Sequence, residues 1–190
     1  MNAARIPTLG AAGLVALVWA LAPVGPAARG AAPAPPGGEI TPGRSVGSIT
    51  IGTSREDLVY LWGRPEGTGR DQNGVDLYDY EETRGVRVFL EGDRVVQFLV
   101  LTPAWSTLDG IKVGTTRPEV RTFLGPPDDA PPGQIQDEAR YWYKRRGLIV
   151  IFKGRAAAAI VVLAAGSEPV AQGLLQELPG KGGGREGGGR

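Results

Sequence analysis

One pattern of turning, capping and apolar residues occurs twice in this chain, 62 residues apart. Ile51–Arg55 (IGTSR) returns as Val113–Arg117 (VGTTR), and Gly63-Arg64-Pro65 returns at the same offset as Gly125-Pro126-Pro127. Self-similarity at a fixed spacing is the sequence signature of a repeated structural unit. The pattern therefore predicts two copies of one small unit, each of about 60 residues.

Each copy begins with a short predicted helix. A hydroxyl residue followed three positions later by an acid fits a capping box, which satisfies the free amides at a helix start. Gly63 and Gly125 then supply the helix ends. Apolar residues at three- and four-residue spacing predict one buried stripe per helix. The capping pairs are Ser54 with Asp57 and Thr116 with Glu119, and the stripes are Leu58, Leu61 and Trp62, then Val120, Phe123 and Leu124.

Three strand-like segments follow each predicted helix, and glycine-containing turns separate them as antiparallel hairpins require. We therefore predict an α+β fold, in which two tandem helix-plus-antiparallel-meander units form one pseudo-symmetric body. The helices are expected on one face of the antiparallel sheet, because that arrangement buries both stripes. The predicted repeats span residues 44–104 and 105–165, and units of this size are marginal alone.

The two ends of the chain read differently from the body. Residues 1–30 are typical of a secretory signal peptide, with Arg5 before an apolar run and then small residues. An uncleaved membrane anchor is the alternative. Residues 31–43 read as a Pro/Ala/Gly-rich spacer, and residues 166–190 as a short helix with a Gly-rich tail. Both alternatives predict an extracytoplasmic body, either periplasmic, cell-surface or secreted, or anchored to the membrane by its N-terminal segment.

The helix motif also carries a family resemblance. From Gly52 it reads glycine, a hydroxyl residue two on, an aliphatic residue six on, apolar residues nine and ten on, then glycine and proline. Gly114 starts the same pattern again. The motif resembles that of the small outer-membrane assembly lipoproteins of the BamE family, and of the wider superfamily that includes β-lactamase inhibitory protein. The resemblance covers about residues 46 to 163 and implies a fold, whereas the chain lacks the cysteine that those lipoproteins carry.

Composition argues against several function classes. The chain has no histidine and no cysteine, so the commonest general base, the thiol nucleophile and the preferred metal ligands are missing. A net charge of +1, or −1 without Arg5 and Arg29, gives no electrostatic footprint for nucleic acid. No phosphate-binding glycine motif occurs in the body. We therefore expect no enzyme, no cofactor, no metal and no nucleic-acid partner.

The remaining chemistry lies in carboxylates, and their spacing favours surface and turn roles. Glu81-Glu82 and Asp128-Asp129 are adjacent acids, which do not face one another across a cleft as glycoside hydrolysis requires. Asp71, Asn73 and Asp76 form a D-x-N-x-x-D run that lacks the spacing and distal Glu of a calcium loop. We interpret this run as turn chemistry.

Strand alternation predicts two faces for the sheet. The repeated tyrosines, Tyr78 with Tyr80 and Tyr141 with Tyr143, are expected beneath the helices. The opposite face would then form a candidate binding surface, unless residues 169–178 cover it. The candidate binding residues on that face are Trp142, Ile149, Ile151, Phe89 and Arg87.

These patterns favour a non-enzymatic exported module of the cell envelope that binds a protein or serves as a scaffold. Its expected partner is another envelope or extracellular protein, and the membrane is contacted only through an uncleaved N-terminal anchor. The alternative is an inhibitor-like protein that acts on an envelope or extracellular enzyme through a loop such as 128–136.

Overall fold

The computed structural model describes residues 37–71, 73–131 and 138–170, and these form an α+β unit that is mostly sheet. The short helices are α1 (Arg55–Trp62), α2 (Glu81–Arg84) and α3 (Arg117–Leu124), and a 3-10 turn covers Lys144–Arg146. The strands are β1 (Gly38–Thr41), β2 (Ser45–Val46), β3 (Ile49–Thr50), β4 (Gly67–Arg70), β5 (Val75–Tyr80), β6 (Val86–Glu91), β7 (Arg94–Val100), β8 (Trp105–Thr107), β9 (Glu138–Tyr143), β10 (Leu148–Lys153) and β11 (Ala156–Leu163).

Seven strands form the larger sheet, in the order β4-β5-β6-β7-β11-β10-β9, with every pair antiparallel. Its centre is the pairing of β7 with β11, where Val100 lies opposite Ile160 and Gln97 opposite Leu163. The smaller sheet has the order β3-β2-β1-β8, and β1 pairs in parallel with β8. The coarse prediction of an α+β fold with antiparallel sheet is confirmed.

Both predicted capping pairs are present at the helix starts. Ser54 Oγ accepts a hydrogen bond from the Asp57 amide at 3.1 Å. Glu119 Oε2 accepts bonds from the amide and the hydroxyl of Thr116, each at 2.8 Å. The helix ends agree as well, because the amides of Gly63 and Gly125 bond to carbonyls four residues earlier.

The predicted apolar stripes are only partly buried. Leu58, Trp62, Val120 and Leu124 are buried, whereas Leu61 is 48% exposed and Phe123 is 53% exposed. Helix geometry explains the difference. At about 100° per residue, positions i and i+4 bracket the centre of the buried stripe, and position i+3 lies about 80° to one side of it. Leu61 and Phe123 therefore stand on the flank of each helix.

The main hydrophobic core lies between the larger sheet and a layer made of the helices and the smaller sheet. The predicted tyrosines contribute to it: Tyr80 and Tyr143 are buried, and Tyr78 and Tyr141 pack against it half-buried. The two buried phenols bond to the helix ends, Tyr80 Oη to the carbonyl of Gly63 at 2.9 Å and Tyr143 Oη to that of Gly125 at 3.1 Å. The core position predicted for these tyrosines is confirmed.

A β-bulge in each long hairpin keeps this core continuous. Phe89 pairs with Gln97 but the next residue pairs with Val95, so Val96 is the extra residue of β7. The register of β10 and β11 shifts in the same way and leaves Ala158 as the extra residue of β11. Because a bulge resets the alternation of side chains, both hairpins keep apolar residues on the helix side through the irregularity.

The ends of the body differ from their predicted bounds. The spacer predicted over 31–43 is too long, since Gly38–Thr41 forms β1 and Ile40 is fully buried. Its Gly/Pro-rich neighbours concealed one apolar side chain that a strand can bury. At the other end, residues 166–170 contain no helix, and the rest of the predicted helix and tail lies outside the described residues. The predicted signal peptide, residues 1–30, also lies outside them.

In the part of the chain that the structure describes, no helix has the length and hydrophobicity needed to cross a membrane. The two longest, α1 and α3, have eight residues each.

Two glycines with nearly the same left-handed backbone allow a matched stability test. Gly147 (φ +62) and Gly154 (φ +66) both pay the αL strain when replaced by alanine, about 1–2 kcal/mol. A Cβ at Gly147 would also lie 2.2 Å from the carbonyl oxygen of Leu163, whereas Gly154 has nothing within 4 Å. We expect Gly147→Ala to lower the free energy of unfolding by about 2 kcal/mol more than Gly154→Ala in urea denaturation. Equal losses would contradict the close approach of Gly147 to β11.

Candidate functional site

The five residues predicted as a binding face do lie on one face of the larger sheet, away from the helices. Ile149 pairs with Trp142 and with Val161, and Phe89 pairs with Gln97. This second face is nevertheless a core layer and not an open surface. Phe89 and Ile151 have no exposed area, and Ile149 is 4% exposed. Trp142 and Arg87 are half-buried.

Alternation along the strands could place these residues together, but it could not show what lies above them. Val170 is the packing neighbour of this cluster that comes from beyond the sheet, as far as the described residues go. Its amide donates to Gln97 Oε1 at 3.1 Å. The burial therefore favours the covered alternative over a freely exposed face. The apolar residues of this second cluster are Val75, Phe89, Leu99, Ile149, Ile151, Ala159, Val161 and Leu163, with Leu77, Val96, Leu101, Trp142 and Val170 packed on it.

Polar groups on the second face are partly paired. Arg87 donates to Glu81 at 2.6 Å and lies 3.6 Å from Asp79. Arg140 Nε donates to Glu138 at 2.7 Å, with both side chains almost completely buried. Three buried donors on this face have no hydrogen-bond partner within the described structure: Gln97 Nε2, Arg140 Nη2 and Trp142 Nε1.

A second candidate surface is a shallow groove of about 560 Å³ on the outer side of α1, named here the α1 groove. Its most prominent side chain is Tyr60, which is 85% exposed, and the half-exposed Leu61 lies beside it. The lining residues are Thr50, Ile51, Gly52, Thr53, Ser54, Asp57, Tyr60, Leu61 and Arg94.

The polar groups of the α1 groove are paired with one another. The hydroxyls of Thr50 and Thr53 lie 3.0 Å apart, and the Ser54 hydroxyl donates to Asp57 at 2.6 Å. Arg94 Nη1 donates to the carbonyl of Gly52 at 3.2 Å. A partner that covers these groups therefore leaves few of them unsatisfied, which keeps the desolvation penalty of binding low.

Arg55 holds the groove in a fixed place on the body. Its guanidinium donates to Asp76 at 2.6 Å, to Asp93 at 2.9 Å, to the carbonyl of Gly92 at 2.7 Å and to the Tyr78 hydroxyl at 3.1 Å. These bonds join the first residue of α1 to β5 and to the turn between β6 and β7. They also raise the pKa of Arg55 above its ordinary value, so the charge is permanent.

Asp76 is the buried centre of this ion cluster. Arg70 and Arg55 both donate to its carboxylate, whose side chain is 8% exposed. The bonds from Arg70, and then those from Arg55, lower the pKa of Asp76 from its ordinary 3.8 to about 2. The carboxylate is therefore charged throughout the physiological range, and its role is to position α1.

Tyr60 is the site residue that the sequence reasoning did not find. On a helix with its stripe centred between Leu58 and Trp62, position 60 is about 180° away from the stripe, on the side facing solvent. A large aromatic residue at that position has no core to enter. This opposition between residue type and helix position was the signal available in the sequence.

The carboxylates singled out from the sequence have structural roles. Asp71 Oδ1 accepts from the amides of Asn73 and Val75, which confirms the turn interpretation of that run. Glu81 pairs with Arg87, as above, and Asp128 lies 3.4 Å from Arg145. Among the described residues no group of three or more acids is placed to hold a metal ion.

The loop proposed for an inhibitor-like role, 128–136, is described only at its base. The amide of Trp142 donates to the carbonyl of Asp129 at 2.8 Å, and the Asp128 amide donates back to Trp142 at 2.8 Å. These bonds attach the base of the loop to β9. Residues 132–137 lie outside the described residues.

Comparison with known proteins agrees with the fold. No family model and no curated protein matches the chain. The uncharacterized protein YfeY from Escherichia coli matches with a TM-score of 0.50 at 12% identity, over 65% of this chain and 98% of that one. The DUF4309 family protein YjgB from Bacillus subtilis matches at 0.47 and 19% identity, over 64% and 88%. An extracellular SCP-domain protein from Bacillus anthracis matches at 0.46 and 12%, over 67% and 52%.

The ion cluster generates a prediction for acid stability. Because the pKa of Asp76 is lower in the folded chain than in the unfolded one, its contribution is fully present above about pH 4 and is lost as the pH falls towards 2. We expect Asp76→Asn to reduce the free energy of unfolding at pH 7 by about 1 kcal/mol, after allowance for the exposed Arg70. The variant should also show a shallower decline between pH 4 and 2 in urea denaturation.

The control for this measurement is Glu91→Gln, at the exposed end of β6. It should keep the acid decline of the parent chain. An Asp76→Asn variant with an unchanged pH slope would show that the cluster does not stabilise the fold.

Proposed function

We propose that this chain is an exported, non-catalytic module of the cell envelope that binds another protein through the α1 groove. The observation that carries the proposal is Tyr60, an aromatic side chain exposed beside an apolar neighbour on a rigid helix. Tyrosine is enriched among the residues that dominate binding energy at protein interfaces. An exposed aromatic on a fixed element also loses little conformational entropy when it is bound.

The scaffold of the proposed module is a pseudo-symmetric duplication related to the BamE-like superfamily. Equivalent contacts 62 residues apart support this part of the proposal. The Gly52 amide bonds to Val95 at 2.7 Å, and the Gly114 amide bonds to Ala157 at 2.8 Å. The bulges at positions 96 and 158 obey the same offset. Equivalent contacts of this kind are what two copies of one unit would retain.

A protein partner fits the α1 groove better than a small ligand does. The groove is shallow, and its hydroxyls and charges already bond to each other, so few free groups remain to orient a small molecule. The same features suit a partner with an apolar anchor, since paired polar groups form a rim around Tyr60 and Leu61. The predicted export of the chain directs the search to envelope and extracellular proteins.

The direct test is a photocrosslinking experiment in cells that export the chain. A photoreactive phenylalanine analogue in place of Tyr60 should form a defined adduct with one protein, identified by mass spectrometry. The same analogue in place of Phe123, a half-exposed aromatic on the other long helix, is the matched control and should not form that adduct.

With the partner purified, Tyr60→Glu should weaken its affinity by about 30-fold or more, because loss of a central anchor costs about 2 kcal/mol. The melting temperature should not change, since the side chain contributes little to the core. Phe123→Glu should bind as the parent does. A partner bound equally well by Tyr60→Glu would place the interface elsewhere on the surface.

A further inference from the structure

The buried second face of the larger sheet requires a layer above it. In a sheet, the side chains on one face stand beside one another, so an uncovered face keeps part of each large side chain in contact with water. Phe89 and Ile151 have no exposed area. These two residues lie on β6 and β10, which are separated by β7 and β11. The covering layer must therefore extend across the centre of the sheet.

The end of the described chain leads onto this face. After β11 the chain turns at 164–167, where the Ser167 amide bonds to the carbonyl of Ala164 at 3.0 Å. Lys144 then pairs with Glu168 at 3.0 Å, and Pro169 is buried. Val170 packs on the second cluster, with its amide bonded to Gln97 on β7. The following residues start at one side of the apolar area.

We propose that residues 171–178 of the same chain form the cover of the second face and shield it from association with other proteins. This segment lies outside the described residues. It contains Leu174, Leu175 and Leu178, whose spacing places them on one side of a helix. This inference concerns a different surface from the α1 groove and does not depend on the proposed function.

The length of the segment fits the area to be covered. From β7 across β11 and β10 to β9 there are three strand spacings, roughly 14 Å. Eight residues in a helix extend roughly 12 Å. A helix that starts beside Gln97 therefore reaches the side chains of β10, and its last turn approaches Trp142 on β9.

The unpaired donors of the second face give a separate indication of the occupant. Gln97 and Arg140 are more than nine-tenths buried, yet Gln97 Nε2 and Arg140 Nη2 have no acceptor among the described residues. A buried donor without an acceptor costs about 1–3 kcal/mol. The covering layer should therefore present oxygen acceptors next to its leucines. The segment 171–178 supplies them with Gln172, Gln176 and Glu177.

The cysteine-free sequence permits a site-specific test with introduced thiols. Ala159→Cys places a single thiol on the second face, and Ala157→Cys, two residues earlier on β11, places one in the main core. A buried thiol reacts with a disulfide reagent such as DTNB only when the structure opens. The two variants are compared in the full chain and in a chain that ends at Val170.

Removal of residues 171–190 should accelerate labelling of the Ala159→Cys thiol by about tenfold or more and leave the Ala157→Cys thiol unchanged. Removal of 181–190 alone should affect neither. Addition of a synthetic peptide of residues 171–180 to the shortened chain should slow the labelling again. In the parent sequence, the same truncation should increase the fluorescence of a hydrophobic dye such as ANS.

Several results would overturn the proposal. The shortened chain could keep the Ala159→Cys thiol protected. The thiol could instead become reactive on removal of residues 1–36, or its protection could depend on protein concentration, which would identify a second copy as the cover. If truncation unfolds the chain, both thiols become reactive together. Leu175→Ser in the full chain then decides, and an unchanged ratio of the two labelling rates would refute the cover.

Discussion

The pairing of β7 with β11 is the constraint on which both faces of the sheet depend. Each three-strand meander alone would have a sheet edge and a core too small for independent stability. Four residue pairs, from Val100 with Ile160 to Gln97 with Leu163, join the two meanders into one seven-stranded sheet. A slip of one residue in this register would turn every side chain of one meander to the wrong face. The core beneath the helices and the second cluster would then both be lost.

Sequence reasoning was most successful where one short-range physical rule decides the structure. The caps at Ser54 and Thr116 depend on atoms within three residues, and the structure contains both. Antiparallel hairpins follow from turn chemistry, and burial of Tyr80 and Tyr143 follows from strand alternation. The spacer was predicted too long because β1 has no local signature. Its pairing with β8 connects residues more than 60 positions apart, and only Ile40 indicated a strand.

The candidate site shows a different limit of sequence reasoning. Alternation placed Phe89 and Ile151 on one face, but burial depends on what a third element does, and no period within the strands encodes that. The reverse holds for Tyr60. Its position opposite the buried stripe could have been calculated from 100° per residue, and the calculation would have indicated an exposed aromatic. A sequence thus indicates well which side chains share a surface, but less well whether that surface is covered.

The positions that break the 62-residue correspondence coincide with the features that have no purely structural role. Tyr60 corresponds to Thr122, so the aromatic of the α1 groove has no counterpart on α3. Gln97, which binds the chain at Val170, corresponds to Ala159, a residue that only fills space. Caps, turning glycines and phenols recur because both halves must build the same sheet. An anchor for a partner and an anchor for the chain end are each needed once, and a duplicated scaffold provides two equivalent positions at which only one has to change.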